Sequence, residues 1–120
     1  MSKKILVVDD EADIVILVKS RLESEGYKVL EAHNGEDAIT IAQANKPDLI
    51  ILDIMMPDMD GIEVSNILKE DANLKDIPII FLTALKKKSD EGNSLSDKGN
   101  IVLGKPFEAD SLLKSIRQLI

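Results

Sequence analysis

The feature that most constrains this chain is a regular alternation of short apolar runs with longer helical patterns. Two runs, Ile5–Val8 and Leu49–Leu52, are continuously apolar, which is typical of strands buried on both faces of a sheet. The remaining predicted strands are Tyr27–Ala32, Ile77–Leu82 and Ile101–Leu103. Five strands that alternate with helices predict a parallel sheet covered by helices on both sides.

The helical segments carry recognisable start and stop signals. Ile14–Leu22 has apolar residues at helical spacing, and a second helix is opened by Asn34 and ended by Pro47. Asp60, with a Glu three residues later, has the spacing of a capping box at the start of a third helix. An apolar stripe over Leu112–Ile120 predicts the last helix.

Handedness rules leave few ways to connect these units. Among them, the flavodoxin-like strand order 2-1-3-4-5 is common for a doubly wound sheet. We therefore predict a doubly wound α/β fold, a flavodoxin-like (βα)5 domain, over residues 1–120. Lys86–Gly99 is polar and has Leu95 as its one central apolar residue, so we expect a weak or mobile fourth helix there.

Charge and composition exclude several classes of function. The 22 acidic and 15 basic residues give a net charge of −7, which repels phosphate backbones, and aromatic residues make up only 2% of the chain. With no Cys there is no disulfide framework or thiolate metal site. No apolar run reaches membrane-spanning length. We expect a cytoplasmic protein that contacts neither nucleic acid directly nor the membrane interior.

Five polar side chains fall at the carboxyl ends of the predicted strands. Asp9 and Asp10 end the first strand, and Asp53 ends the third, which the predicted order places beside it. Thr83 ends the fourth strand and Lys105 follows the fifth, on the same rim. Any one of them alone is explained by turn capping. All five on one edge favour a ligand crevice, because doubly wound folds bind ligands there.

This combination of groups suits phosphoryl chemistry. Three neighbouring carboxylates repel one another unless a proton or a cation neutralises them, and a set of oxygen ligands without His or Cys selects a hard ion such as Mg²⁺. An ammonium and a hydroxyl add groups that stabilise a transferring phosphoryl group. A carboxylate can itself be the nucleophile and form an aspartyl phosphate.

Four separated motifs resemble those of a known family. They are Ile5–Glu11 (ILVVDDE), Asp53–Gly61 (DIMMPDMDG), Phe81–Ala84 (FLTA) and Gly104–Phe107 (GKPF). In order and spacing they are similar to the receiver domain of two-component response regulators. The resemblance covers essentially the whole chain and implies a CheY-like phosphorylation switch rather than an enzyme.

The resemblance also implies roles for individual residues. Asp53 would be the phosphoacceptor, and it would take the phosphoryl group from a phosphohistidine on a sensor histidine kinase or a histidine phosphotransfer protein. Asp10 and Asp53 would hold Mg²⁺ together with the backbone carbonyl of Met55, and Asp9 would act through water. Phosphorylation would change binding to a downstream protein target or effector domain.

Two further groups would complete the switch. Lys105 would pair with the phosphoryl oxygens, and the hydroxyl of Thr83 would move to hydrogen-bond one of them. Met55 and Leu85, two residues beyond the acceptor and the threonine, have no polar group to orient an attacking water, so we expect slow self-dephosphorylation.

One position departs from the family pattern. Three residues before the lysine, where the family usually has Tyr or Phe, this chain has Val102, which is too short and stiff to act as a rotamer switch. An alternative function is therefore a receiver-like protein-interaction module that acts independently of phosphorylation. A haloacid-dehalogenase-like phosphatase is disfavoured, because Met55 stands where that class needs a second Asp. The sequence names neither the cognate kinase nor the output, and it leaves open a stand-alone protein or a domain of a longer one.

Overall fold

The computed structural model describes residues 2–83, 94–95 (backbone only), 101–105 and 107–120. Its strands form one sheet in the order β2-β1-β3-β4-β6-β5. The strands are β1 (Lys4–Val8), β2 (Lys28–Ala32), β3 (Leu49–Asp53), β4 (Ile79–Thr83), β5 (Ser94–Leu95) and β6 (Ile101–Gly104). The helices are α1 (Ala12–Ser24), α2 (Gly35–Asn45), α3 (Gly61–Lys69) and α4 (Ala109–Leu119).

The five longer strands run parallel. Since β6 is the predicted fifth strand, the predicted order 2-1-3-4-5 is confirmed. The sequence did not predict the two-residue β5, which pairs antiparallel with β6 at the sheet edge. Apart from β5, the predicted weak or mobile fourth helix over residues 86–99 lies outside the described residues.

The fourth strand begins two residues later than predicted. Ile77 lies in the preceding turn, where its N–H donates to Leu74 O at 3.1 Å. Pro78 has no N–H for the sheet ladder, and only its carbonyl is used, accepting from Ile50 N at 3.1 Å. The strand then continues to Thr83, so this threonine is the last strand residue.

Alternate strand residues enter two separate cores, one on each face of the sheet. Ile5 and Val7 of β1 pack with α1 and α4, whereas Leu6 and Val8 pack with α2 and α3. The continuous apolar runs Ile5–Val8 and Leu49–Leu52 follow from this, because each face of the sheet is covered. In the described part of the chain, no helix has the length and apolarity needed to cross a bilayer.

The helix starts differ in how their first N–H groups are satisfied. Asn34 Oδ1 accepts from Asp37 N at 2.8 Å before α2, and Asp60 Oδ1 accepts from Glu63 N at 2.9 Å before α3. The predicted cap at Asp60 is thus confirmed. The residue at the same position before α1 is Glu11, and its side chain makes no capping hydrogen bond.

Candidate functional site

The strand register brings distant acids to the same level of the sheet. Val8 pairs with Leu52 across β1 and β3, so Asp9 and Asp53, the next residue of each chain segment, come side by side. The backbone N–H of Asp9 still bonds to Ala32 O of β2 at 3.2 Å, which holds Asp9 in line with its strand. The carboxyl ends of β1 and β3 therefore place their acids in one crevice.

The acids form a compact group. Asp9, Asp10 and Asp53 each offer a carboxylate oxygen, and these oxygens all lie within 4.8 Å of one another. Asp9 is 0% exposed and Asp53 2% exposed, while Asp10 faces solvent. A group of oxygen donors that is partly buried and open on one side fits a hard dication that keeps several waters, such as Mg²⁺. We call this group, together with Lys105, the acidic crevice.

Lys105 supplies the positive charge of the crevice from the end of β6. It follows β6, and its backbone N–H donates to Thr83 O at 2.8 Å, which fixes it beside the end of β4. Its Nζ lies 2.9 Å from Asp9 Oδ2 and 3.4 Å from Asp53 Oδ2. One ammonium thus contacts both buried carboxylates.

The remaining oxygens of these two acids accept backbone hydrogen bonds. Glu11 N donates to Asp9 Oδ1 at 2.9 Å, and Met55 N donates to Asp53 Oδ1 at 3.2 Å. Each buried carboxylate therefore has an ammonium on one oxygen and an amide on the other. This arrangement keeps both side chains in fixed orientations before any ligand binds.

The surroundings shift the acid strength of the acceptor. Burial, and then the negative charge of Asp9, raise the pKa of Asp53 from 3.8 to about 6, against the opposing effects of Lys105 and of Met55 N–H. For Lys105 burial alone lowers the pKa, but the hydrogen bond and charge of Asp9 and the charge of Asp53 outweigh it, so its pKa is raised. Asp53 therefore keeps its proton to a higher pH than a free carboxyl group does.

Thr83 completes the rim on the β4 side. It is 7% exposed and pairs with Gly104, the residue before Lys105. Asp53 pairs with Leu82 of β4, and Thr83 is the next residue of β4 towards the carboxyl edge of the sheet. The structure thus brings all five predicted polar residues to one edge of the sheet.

The loop after Asp53 is held by tight backbone contacts. Met59 N donates to Pro57 O at 2.7 Å across Asp58, whose φ of +68° gives a strained γ-turn. Gly61 N donates to Ile54 O at 3.0 Å. A Cβ on Gly61 would collide with the carbonyl oxygen of Asp53 and lie 2.9 Å from Ile54 Cα. Only glycine allows α3 to begin this close to the acceptor backbone.

Two features of the site were not found from the sequence. The first is the contact of Glu11 Oε1 with Lys105 Nζ at 3.5 Å, although the position of Glu11 directly after the two aspartates was a usable signal. The second is the close packing of Gly61 against the backbone of Asp53 and Ile54. Met55 beside the acceptor has a side chain that is 54% exposed.

Comparison with known proteins gives a consistent result. Residues 5–117 match the family model of the response regulator receiver domain. The chain is 43% identical over 119 residues to the alkaline phosphatase synthesis transcriptional regulatory protein PhoP of Bacillus subtilis, covering 97% of this chain and 49% of PhoP. The polar-differentiation response regulator DivK of Brucella anthropi is 31% identical over 120 residues, with 98% of DivK covered.

The fold agrees with the sequence matches. The chemotaxis protein CheY4 of Vibrio cholerae superposes with a TM-score of 0.86 at 29% identity, and the alignment covers 100% of both chains. The chain spans about half the length of PhoP and of the transcriptional regulators that match next, but nearly the full length of DivK. From its match over residues 5–117 and from its fold, the chain belongs to the response regulator receiver domain family.

Proposed function

We propose that this chain is the phosphoacceptor switch of a two-component phosphorelay, with Asp53 as the acceptor and Mg²⁺ as the cofactor. The observation that carries the proposal is the environment of Asp53, a 2%-exposed carboxylate that contacts Lys105 and lies beside Asp9 and Asp10. Such a group is shielded from bulk water yet supplied with positive charge on the side where a phosphoryl group would enter.

The transfer step follows from the position of the acceptor. A carboxylate oxygen of Asp53 attacks the phosphorus of a phosphohistidine, the new O–P bond forms, and the P–N bond breaks with its electron pair leaving on the imidazole. Asp10, Asp53 and the carbonyl of Met55 would hold Mg²⁺, with Asp9 acting through water. Bound there, Mg²⁺ supplies the charge that offsets the carboxylates and the phosphoryl oxygens.

Lys105 and Thr83 act on the transferred group. The Nζ of Lys105, 3.4 Å from Asp53 Oδ2, is placed to pair with a phosphoryl oxygen once Asp53 is modified. Thr83, on the adjacent strand end, would donate its hydroxyl to another oxygen. These groups make the chain assist its own phosphorylation and its slow dephosphorylation, without turning over a separate substrate as an enzyme does.

The partners follow from this role. The donor is a sensor histidine kinase or a histidine phosphotransfer protein, and the modified form changes its binding to a downstream protein target or an effector domain. Such a relay operates in the cytoplasm. The net charge of −7 argues against direct binding of the chain to nucleic acid.

A second candidate is a receiver-like interaction module whose partner binding does not need phosphorylation. It is favoured by Val102, a half-buried β6 residue that pairs with Phe81 and packs in the core on the α2 and α3 side. A branched aliphatic side chain in that core has no ring that could change position when Thr83 moves.

Acetyl phosphate with Mg²⁺ followed by intact-mass measurement separates the two candidates. We expect one phosphoryl group per chain in the wild type and none in Asp53→Asn. Asp58→Asn, which removes an exposed acid of the same loop, is the matched control and should be modified as the wild type is. An unmodified wild-type chain, or a modified Asp53→Asn, would contradict the switch. Partner binding that is equal for both forms would favour the module.

A further inference from the structure

We propose that Glu11 is a positioning residue for Lys105. Its carboxylate pairs with the ammonium of Lys105 and does not belong to the group of acids that would bind the cation. The inference rests on the proposed Mg²⁺-dependent function and concerns a residue outside the three-aspartate group. Lys105 Nζ lies 2.9 Å from Asp9 Oδ2, 3.4 Å from Asp53 Oδ2 and 3.5 Å from Glu11 Oε1. Three carboxylates thus surround one ammonium.

These three carboxylates are not equivalent. Asp9 and Asp53 are buried and belong to the group whose oxygens lie within 4.8 Å of one another, so a dication bound there would share them with the ammonium. Two positive charges competing for the same carboxylates repel each other. Among the described residues, Glu11, with a side chain that is 64% exposed, is the charged partner of Lys105 that does not belong to that group.

The local structure of Glu11 supports the same role. Glu11 stands at the N-cap position of α1, where short polar side chains usually accept a hydrogen bond from the helix, yet its side chain makes none. Its backbone N–H instead donates to Asp9 Oδ1 at 2.9 Å, and its side chain reaches Lys105. One residue therefore orients Asp9 through its backbone and Lys105 through its carboxylate.

The consequence concerns how readily the crevice accepts the cation. With Glu11 present, the ammonium keeps a carboxylate partner when Asp9 and Asp53 are engaged by Mg²⁺. Without Glu11, the ammonium of Lys105 either stays beside Asp9 and Asp53, where it repels the cation, or moves away from them and loses these charged contacts. We therefore expect Glu11 to strengthen Mg²⁺ binding through Lys105, and not by its own charge alone.

A double-mutant cycle tests this, with the Mg²⁺ dissociation constant measured by titration calorimetry. Glu11→Gln should weaken binding by about twofold to fivefold, the range of a partly exposed ion pair. In a Lys105→Ala background the same change should have no more effect than Asp13→Asn, an exposed acid in the first turn of α1. The midpoint of thermal unfolding of each variant, measured in parallel, checks that the fold is retained.

Each outcome has a defined meaning. An equal loss of affinity in both backgrounds would show that Glu11 acts on the cation by charge alone and would overturn the inference. No loss, or tighter binding in Glu11→Gln, would overturn it as well. A wild-type chain that binds no Mg²⁺ would contradict the proposed function itself, whereas normal Mg²⁺ binding with an additive cycle would contradict only the role of Glu11.

Discussion

Two regions of the described chain hold ion pairs that differ in burial. In the acidic crevice, Lys105 is 15% exposed and bonds to Asp9, which is 0% exposed. On the outer surface between α1 and α4, Arg21 pairs with Asp110 at 3.1 Å and Arg117 with Glu25 at 3.5 Å, and each of these four side chains is at least 36% exposed. We call this second region the α1–α4 surface.

The difference shows which charges in this molecule depend on one another. Solvent screens the pairs of the α1–α4 surface, so we expect each to contribute little to stability. In the crevice the charges are removed from water and depend on one another, and a net excess of carboxylates remains for a cation to neutralise. Burial of these charges therefore has a cost in stability.

Removal of the ammonium of Lys105 should give the largest loss of stability. Without Mg²⁺, Lys105→Ala leaves Asp9 and Asp53 buried with no cation, and we expect a loss of about 3 kcal/mol in the free energy of unfolding at pH 7.5. Arg21→Ala on the α1–α4 surface should cost less than about 1 kcal/mol. Urea unfolding measures both. Equal losses would show that burial does not separate the two regions.

Removal of the acceptor charge should stabilise the chain at neutral pH. The pKa of Asp53 is raised to about 6 from 3.8, so the folded chain binds a proton that the unfolded chain has already released. The contribution of Asp53 to the free energy of unfolding therefore falls as pH rises between these values, by about 3 kcal/mol for a shift of this size. Asp53→Asn should be more stable than the wild type above pH 6, and the gain should vanish below pH 4.

The control for this pH dependence is on the α1–α4 surface. Asp110→Asn removes an exposed partner of Arg21, and it should change the free energy of unfolding by less than about 1 kcal/mol at pH 4, 6 and 8 alike. Urea unfolding at pH 4, 6 and 8 compares the two variants. A gain for Asp53→Asn that persists unchanged at pH 4 would mean that packing, and not the ionised carboxylate, is responsible.

Two glycines, one next to each region, differ in whether they tolerate an added methyl group. Gly61→Ala places a methyl group against the backbone of Asp53 and Ile54, so we expect a loss of about 2 kcal/mol and slower phosphoryl uptake from acetyl phosphate. Gly26, after α1, has a φ of +92°, but a Cβ built on it would meet no atom within 4 Å. Gly26→Ala should cost only the backbone strain, about 1 kcal/mol, with uptake unchanged. Equal uptake in the two variants would contradict a role for Gly61 in positioning the acceptor.

The sequence predicted those parts of the molecule that depend on local pattern and on topology. The continuous apolar runs gave a sheet covered on both faces, and the strand order then brought Asp9 and Lys105, 96 residues apart, to the same edge. The start of β4 was wrong by two residues because the apolar Ile77 reads as strand, whereas the missing N–H of Pro78 delays the ladder.

Contacts that depend on side-chain conformation or on a packing distance were not predictable. Glu11 reaches Lys105 through a flexible, exposed side chain, and no periodicity encodes that direction. Likewise, the need for glycine at position 61 follows from the separation of α3 from the end of β3, which the sequence does not contain. The sequence therefore identified the charged groups of the crevice but not the contacts that orient them.

The smallest expected effect on stability comes from exposed apolar residues, one beside the acidic crevice and one on α1. What changes there is the half-life of the phosphorylated chain. Met55 beside Asp53 has a side chain that is 54% exposed and carries no group to orient water, so the phosphorylated chain should lose its phosphoryl group slowly. Met55→Asn introduces an amide that can hold a water near the phosphorus, and we expect a several-fold shorter phosphoryl half-life with little change in stability.

The matched control is Leu17→Asn, which makes the same kind of change at a 66%-exposed apolar position on α1. It should leave the half-life of the phosphorylated chain unchanged, because α1 residue 17 is not part of the loop that follows the acceptor. The half-life is followed by intact mass after acetyl phosphate is removed. Equal half-lives for wild type and Met55→Asn would show that access of water to the phosphoryl group is set elsewhere in the crevice, by groups such as Thr83 and Lys105.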